Sequence, residues 1–364
     1  MKKTLLFCLI FILVVVAVLS ACSSCSLLSI PRNPQQGGGG DEGGDVVESD
    51  GLEFELAEDG ESYILTGVGS CRKEKTIVVP SMCEGKPVVT LKPGAFSEAK
   101  DLEELVLSDH MKFIPERGIS SHPTLKSVTM ADSVVKIGKY AFQQCPNLES
   151  ISISKNVETL QGGLFYECPK LSNVTIPNSV TKIEDNVFYG CAGLTDISLP
   201  KNIVEMGLTV FGGCTGLTSI EIPNNVTRIS DGMFKDCENL QIVKLPDGIT
   251  YIGSTAFFRC KALSTIKIPQ NVQTIGANAF KDCIALTSVE IGNNVGVINN
   301  SAFAGCSSLP SIVIPLSVKK MGSYIFFNAK ADMVINVRAP SKPKDWEANW
   351  NDGDRTVVWG YTGK

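Results

Sequence analysis

Cysteine is the residue type whose number and spacing most invite chemistry in this chain. Eight of its 13 cysteines recur every 23 residues, at Cys145, Cys168, Cys191, Cys214, Cys237, Cys260, Cys283 and Cys306. Such a column could form disulfides, bind metal or sit buried as thiols. Identical positions in stacked turns point their Cβ bonds in parallel about 4.8 Å apart, whereas a disulfide needs converging Cβ atoms some 3.5 to 4.5 Å apart. The spacing therefore predicts buried thiols that pack as small hydrophobes. Cys71 and Cys83 stand outside the column, flank one predicted strand, and leave a bridge between them open. Only two histidines occur, His110 and His122, which removes most imidazole bases and zinc ligands. No phosphate-binding glycine loop, nucleophile-elbow serine or His-Glu-x-x-His pair is present. Asp231, Asp236 and Asp282 are read as solvated turn residues. The chain is accordingly read as a non-enzyme with no cofactor and no metal site. Its net charge of -5 offers no basic field for a phosphate backbone, so nucleic acid is excluded as a partner.

Another cysteine has a different context. Lys2 and Lys3 precede an apolar run from Leu5 to Leu19, which is signal-peptide length and short of the roughly 20 residues that span a bilayer. The sequence Leu19, Ser20, Ala21, Cys22 resembles the lipobox of bacterial lipoproteins. That resemblance implies cleavage before Cys22 and acylation of its thiol and new N-terminus, with residues 1–21 removed. Two or more acyl chains hold a soluble domain to a membrane stably. The Cys22, Ser23, Ser24, Cys25 spacing also suits a zinc or redox pair, but lipidation would occupy its first member. Residues 22–45, rich in glycine and acid, are read as a flexible tether reaching on the order of 25 to 30 Å.

The remaining chain must position all these groups, and a 23-residue repeat does so. An aromatic recurs at Phe96, Phe142, Phe165, Phe188, Phe211, Phe234, Phe257, Phe280, Phe303 and Phe326, with Ile119 standing in once. Leucine follows six residues later, as at Leu148, Leu217 and Leu286, with further aliphatics three and five residues beyond it. A fixed period of this length means units that bury their apolar side only by stacking. The expected fold is a mainly β (or α/β) solenoid, a leucine-rich-repeat curved rod of 23-residue units with one parallel sheet. Within a unit, Leu217 to Ile222 alternates as a strand, and Asn225 follows where its amide can satisfy the backbone leaving that strand. The half-unit with Val226, Ile229 and Phe234 is expected to form a turn or short 3₁₀ segment. The chain divides into an N-terminal cap and first repeat (46–95), the solenoid (96–337) and a C-terminal capping segment (338–364).

The pattern Ala-Phe-x-x-Cys-x-x-Leu-x-x-Ile-x-Ile-Pro over residues 77–337 resembles the BspA-like, Treponema-type leucine-rich repeats of bacterial surface proteins. Thr76 to Phe96, with the insertion around Glu84, Gly85, Lys86 and Pro87, resembles that family's first unit. The resemblance implies a bacterial cell-envelope protein, lipid-anchored through Cys22 and exposed at the outer surface. It also implies adhesion or binding to a host or cell-surface protein. In the second unit Pro115, Ile119 and His122 replace the usual Gly, Phe and Cys, and looser packing is expected there.

Strand alternation turns one column of the sheet to solvent: Val106, Thr129, Ser152, Thr175, Ser198, Glu221, Lys244, Lys267, Glu290 and Val313. Its charge is concentrated in Glu221, Lys244, Lys267 and Glu290. With Ile242 beside them, these four form the candidate ligand-binding patch. The alternative reading is a lipoprotein binding an envelope or host carbohydrate through Trp346, Trp350 and Trp359, three rings that could equally close the end of the solenoid.

Overall fold

The computed structural model describes residues 48–363, so the signal segment, Cys22 and the whole tether lie outside the described residues. The chain forms a β-solenoid of about 13 turns. Each turn has three walls. The first holds the alternating strands, among them Ser127–Met130, Ser150–Ser152 and Asn173–Thr175, which pair in parallel with Ser150 opposite both Ser127 and Asn173. That register is one repeat per step, so every side-chain type meets its own kind in the next turn.

The second wall departs from expectation. Where a turn or 3₁₀ segment was expected, the chain forms two-residue parallel strands such as Arg228–Ile229, Tyr251–Ile252 and Thr274–Ile275. Extended backbone here lets neighbouring turns satisfy each other's amides, as in Thr250 N–H to Thr227 O at 2.8 Å. The fold therefore has parallel ladders on two walls rather than one sheet. Among the described residues the one helical element is the 3₁₀ turn Gly69–Lys73.

The third wall is the tight turn carrying phenylalanine. Nine rings from Phe142 to Phe326 form one continuous stack, with centroids 5.1 to 6.1 Å apart. Backbone bonds run alongside, for example Phe211 N–H to Met233 O at 3.0 Å. Each repeat cysteine lies against this stack and donates its thiol to the carbonyl of residue i−26. Cys168 reaches Phe142 O at 3.0 Å, Cys237 reaches Phe211 O at 3.0 Å and Cys306 reaches Phe280 O at 3.3 Å. The thiol is small enough for the core and in most turns adds a second donor to a carbonyl that the turn's own amide already reaches, as Cys214 N–H does at Phe211 O (3.1 Å). All eight are buried thiols, as their spacing predicted. Burial pushes the Cys191 thiol up to about 12, and it raises Cys214, Cys237, Cys260, Cys283 and Cys306 as well.

The third-wall turn uses two left-handed positions per repeat. One column runs through Arg117, Tyr140, Asn186, Thr209, Thr255, Asn278, Ser301 and Tyr324, all with φ between 48° and 59°. Gly163 and Gly232 fill it where φ is 64°. Threonine at such a φ is strained, because a β-branched side chain crowds the following carbonyl.

The second unit is less disturbed than expected. Ile119 and His122 are buried, only 3% and 5% exposed. What the substitutions change is satisfaction: His122 occupies the cysteine column, and its Nδ1 is buried without a hydrogen-bond partner. Burial holds its pKa below the ordinary imidazole value, while backbone groups of Ala99 and Phe96 act in the opposite direction.

Both ends of the stack are closed. Glu53–Leu56 pairs antiparallel with Tyr63–Gly67, and the Met82–Cys83 strand turns back on Lys86–Leu91 through Glu84 and Gly85, both left-handed as a two-residue hairpin requires. Cys71 donates its thiol to Asp50 O at 3.0 Å. Burial first, and then the Glu74 charge, push that thiol up to about 11.

Candidate functional site

The outward column of the first wall is where strand alternation predicted it. In Ser219–Glu221 and Ile242–Lys244 the middle residues Ile220 and Val243 turn inward, while Glu221, Ile242 and Lys244 are exposed. Glu221 stands opposite Lys244 in the ladder, and their side chains meet at 3.3 Å. Both side chains are about 70% exposed (70% and 73%), so the pair contributes roughly 0 to 1 kcal/mol to stability. Lys267 stands opposite Glu290 between Thr265–Lys267 and Ser288–Glu290, and among the described residues no ion pair joins them. Ile242 is 57% exposed, the most exposed large hydrophobic residue of the molecule's described part.

The patch is thus two paired strand couples rather than one continuous sheet, because the ladder lapses between Ile242–Lys244 and Thr265–Lys267. A larger lapse lies upstream. Between Asn173–Thr175 and Ser219–Glu221 the turn at 195–199 carries no strand, although the alternating pattern reads straight through Asp196 and Ser198.

The C-terminal tryptophans form a cluster. Trp346 and Trp350 are 3% and 5% exposed, with ring centroids 5.0 Å apart, and Trp359 packs on them at 5.9 and 6.2 Å. Trp350 also meets Phe326, the last ring of the stack, edge-on at 6.3 Å, and Trp346 Nε1 donates to Val318 O at 3.3 Å. Two of the three rings are therefore turned into the protein and close the solenoid.

Other candidates have structural partners. Asp231 Oδ1 accepts from Ser254 N–H at 2.9 Å, and Asp236 lies 3.7 Å from Arg259. The asparagine column behaves as expected, with Asn225 Nδ2 donating to Lys201 O at 3.1 Å and Asn271 Nδ2 to Asp247 O at 2.9 Å. Among the described residues no group of three or more His, Cys, Asp or Glu could hold a metal ion, and no helix is long and apolar enough to cross a membrane.

The sequence profile of the BspA type leucine rich repeat region matches six copies over residues 71–194, 160–285 and 205–333. This chain belongs to that family. A leucine-rich repeat protein from Bacteroides ovatus has a similar fold, with a TM-score of 0.58, 20% identity, and 86% of this chain and 99% of that one covered. The pneumococcal vaccine antigen PcpA aligns with a TM-score of 0.52 at 17% identity, over 87% of this chain and 86% of its own. A leucine rich cell surface protein from Faecalibacterium prausnitzii aligns at 22% identity and a TM-score of 0.48, over 89% and 96%. Comparison with curated protein sequences gives no match. These BspA-type repeats are a scaffold on which the inward columns are nearly uniform and the outward columns differ from turn to turn.

Proposed function

We propose that this BspA-type protein is a membrane-anchored, surface-exposed binding protein that holds a host or cell-surface protein on the first wall of its solenoid. The observation that carries the reading is the exposed patch of Glu221, Ile242, Lys244, Lys267 and Glu290 on strands whose inward residues Ile220, Ile266 and Val289 are buried and Val243 half-buried. A rigid backbone presents mixed charge beside one apolar side chain, which suits electrostatically guided protein recognition. Such a scaffold has no need of catalysis, and the scarcity of histidine agrees with a non-enzymatic role. The Trp346, Trp350 and Trp359 cluster supports an end-capping role more than a sugar platform, since Trp346 and Trp350 are buried and the half-buried Trp359 packs against both.

Two experiments test the reading. Affinity capture with wild-type protein, followed by capture with the Glu221→Ser, Lys244→Ser, Lys267→Ser, Glu290→Ser variant, should lose the partner in the second case. Anchoring is tested separately. Cys22→Ser should move the protein out of the detergent phase, and wild-type protein without acyl groups by mass spectrometry would end the lipoprotein part of the proposal.

A further inference from the structure

The turn at 195–199 is the one position on the first wall, among the described residues, that has no strand. Its neighbours are intact on the other two walls. Lys182–Ile183 pairs with both Thr159–Leu160 and Glu205–Met206, and Phe188 N–H donates to Val210 O at 2.9 Å. Between the two turns that line it the opening is therefore confined to the sheet side, although the second-wall ladder lapses one step on, between Glu205–Met206 and Arg228–Ile229. It leaves a cleft of about 670 Å³ lined by Val174 to Ile176, Asn178 and Ser198 to Asn202. Three inward residues are half-buried here, Val174, Ile197 and Leu199, against Ile151 at 3% and Ile220 at 5% exposure; Val243, Leu245 and Ile291 share that state farther along, beside strands that are formed. Across the lapse Thr195 O still accepts from Thr218 N–H at 3.0 Å, but no backbone bond ties residues 196–199 to the preceding turn. The sequence explains the local failure. Asp196 takes a position held by serine or asparagine in the three preceding turns and by serine in the next, and aspartate is a poor strand residue; Leu199 replaces the β-branched isoleucine found at Ile153, Ile176 and Ile222, a change that Leu107 and Leu245 also make beside intact strands.

Three features define what fits. The cleft offers strand backbone whose N–H and C=O groups lack a ladder partner, which is what an extended peptide pairs with. Its half-buried aliphatics suit alternate apolar side chains. No aromatic ring lines it, so a sugar would find no stacking face, and Lys201 is its sole charged lining residue, with no ion-pair partner among the described residues. Charge complementarity therefore asks for a carboxylate at one end of the peptide. We propose that the cleft between residues 174–178 and 198–202 is a peptide-binding site that takes an extended segment by strand addition, with an acidic residue of that segment over Lys201. This rests on the protein-binding role of the first wall and names a second, separate contact on it.

The probe is a fluorescent peptide copying residues 217–224 of this chain with Asn224→Asp. In ladder register position 224 falls one repeat beyond Lys201, which places the new carboxylate beside the ammonium. Anisotropy titration of the full chain should give saturable binding. The Asp196→Ser, Leu199→Ile variant restores the strand pattern of the neighbouring turns without opening a core cavity, and it should bind at least tenfold more weakly with its melting temperature kept or raised. Lys201→Glu should weaken the acidic peptide several-fold more than the version with native Asn224. In free protein, amides of residues 196–199 should exchange faster than those of 220–222. Absence of saturable binding up to about 1 mM, equal binding by the ladder-restoring variant, or equal exchange in the two segments overturns the site. Loss of a captured partner on the quadruple surface substitution, together with a silent peptide titration, leaves the first-wall reading standing and removes the cleft.

Discussion

The phenylalanine wall and the sheet wall are written in the same 23-residue repeat, yet they tolerate change very differently. On the phenylalanine wall nine rings and eight thiols pass from turn to turn with centroid spacings that vary by about an ångström, from 5.1 to 6.1 Å. On the sheet wall the outward residue changes from hydroxyl to carboxylate to ammonium, and one turn gives up its strand altogether. The difference teaches where a solenoid stores its stability. Period and rise are fixed by inward columns that touch their own copies in adjacent turns, so outward columns are free to carry recognition.

The strongest way to break this division is at the ring stack. Phe211→Ala should cost about 3 to 5 kcal/mol in denaturant unfolding and split the transition, because interfaces between turns are lost on both sides. A melting shift below about one degree would contradict the stack's role.

The thiol column should reveal itself through pH. Folded Cys191 keeps its proton up to about 12, and its neighbours are likewise raised, whereas unfolded thiols ionise near their ordinary value of 9.0. The unfolded state therefore releases protons first. Stability is fully present below about pH 9 and falls as pH rises, by up to about 1.4 kcal/mol per pH unit for each such thiol. Replacing Cys214, Cys237 and Cys260 together by alanine should flatten that slope, while the carbonyls of Phe188, Phe211 and Phe234 lose a thiol donor and keep their backbone amide donors.

His122 has the opposite sign. Its folded pKa is depressed by burial, so its contribution holds above the ordinary 6.5 and is lost as pH falls toward the folded value. The stability of His122→Cys relative to wild type should grow as pH is lowered below 6.5, measured by thermal or denaturant unfolding across that range. A constant difference would mean that the buried imidazole is not what titrates. Thr255→Gly is a finer probe, since Gly232 already holds the same left-handed position one repeat earlier at φ 64°. Relief of the β-branched strain should raise stability by about 0.5 to 1 kcal/mol, even though the 2.7 Å bond from Thr255 Oγ1 to Ser254 O is lost.

The inward columns were legible in the sequence because a core residue that meets its own copy every turn leaves a strict period. Phe142 to Phe326, the cysteines and the asparagine amides could all be placed that way. The second-wall strands could not, because two residues such as Arg228–Ile229 are too short to show alternation. The left-handed column did leave a signal, glycine or asparagine at Gly163, Asn186, Gly232 and Asn278, masked by Tyr140, Thr209 and Thr255 in the same register. The outward patch was legible as a list of side chains but not as a surface, because breaks in the ladder depend on small local deficits such as Asp196 that sum over neighbouring turns. The tryptophans could be read as a cap or as a platform from their sequence, and only their packing separates the two.

The sheet wall itself is tested most directly by comparing binding and melting for the variant carrying Glu221→Ser, Lys244→Ser, Lys267→Ser and Glu290→Ser. These side chains are exposed and their pairing is worth roughly 0 to 1 kcal/mol, so the melting temperature should barely move. Equilibrium binding of the partner captured by wild type should weaken at least tenfold. Full binding by this variant, or a melting temperature that collapses with it, would contradict the separation of a stabilising core from a recognising face.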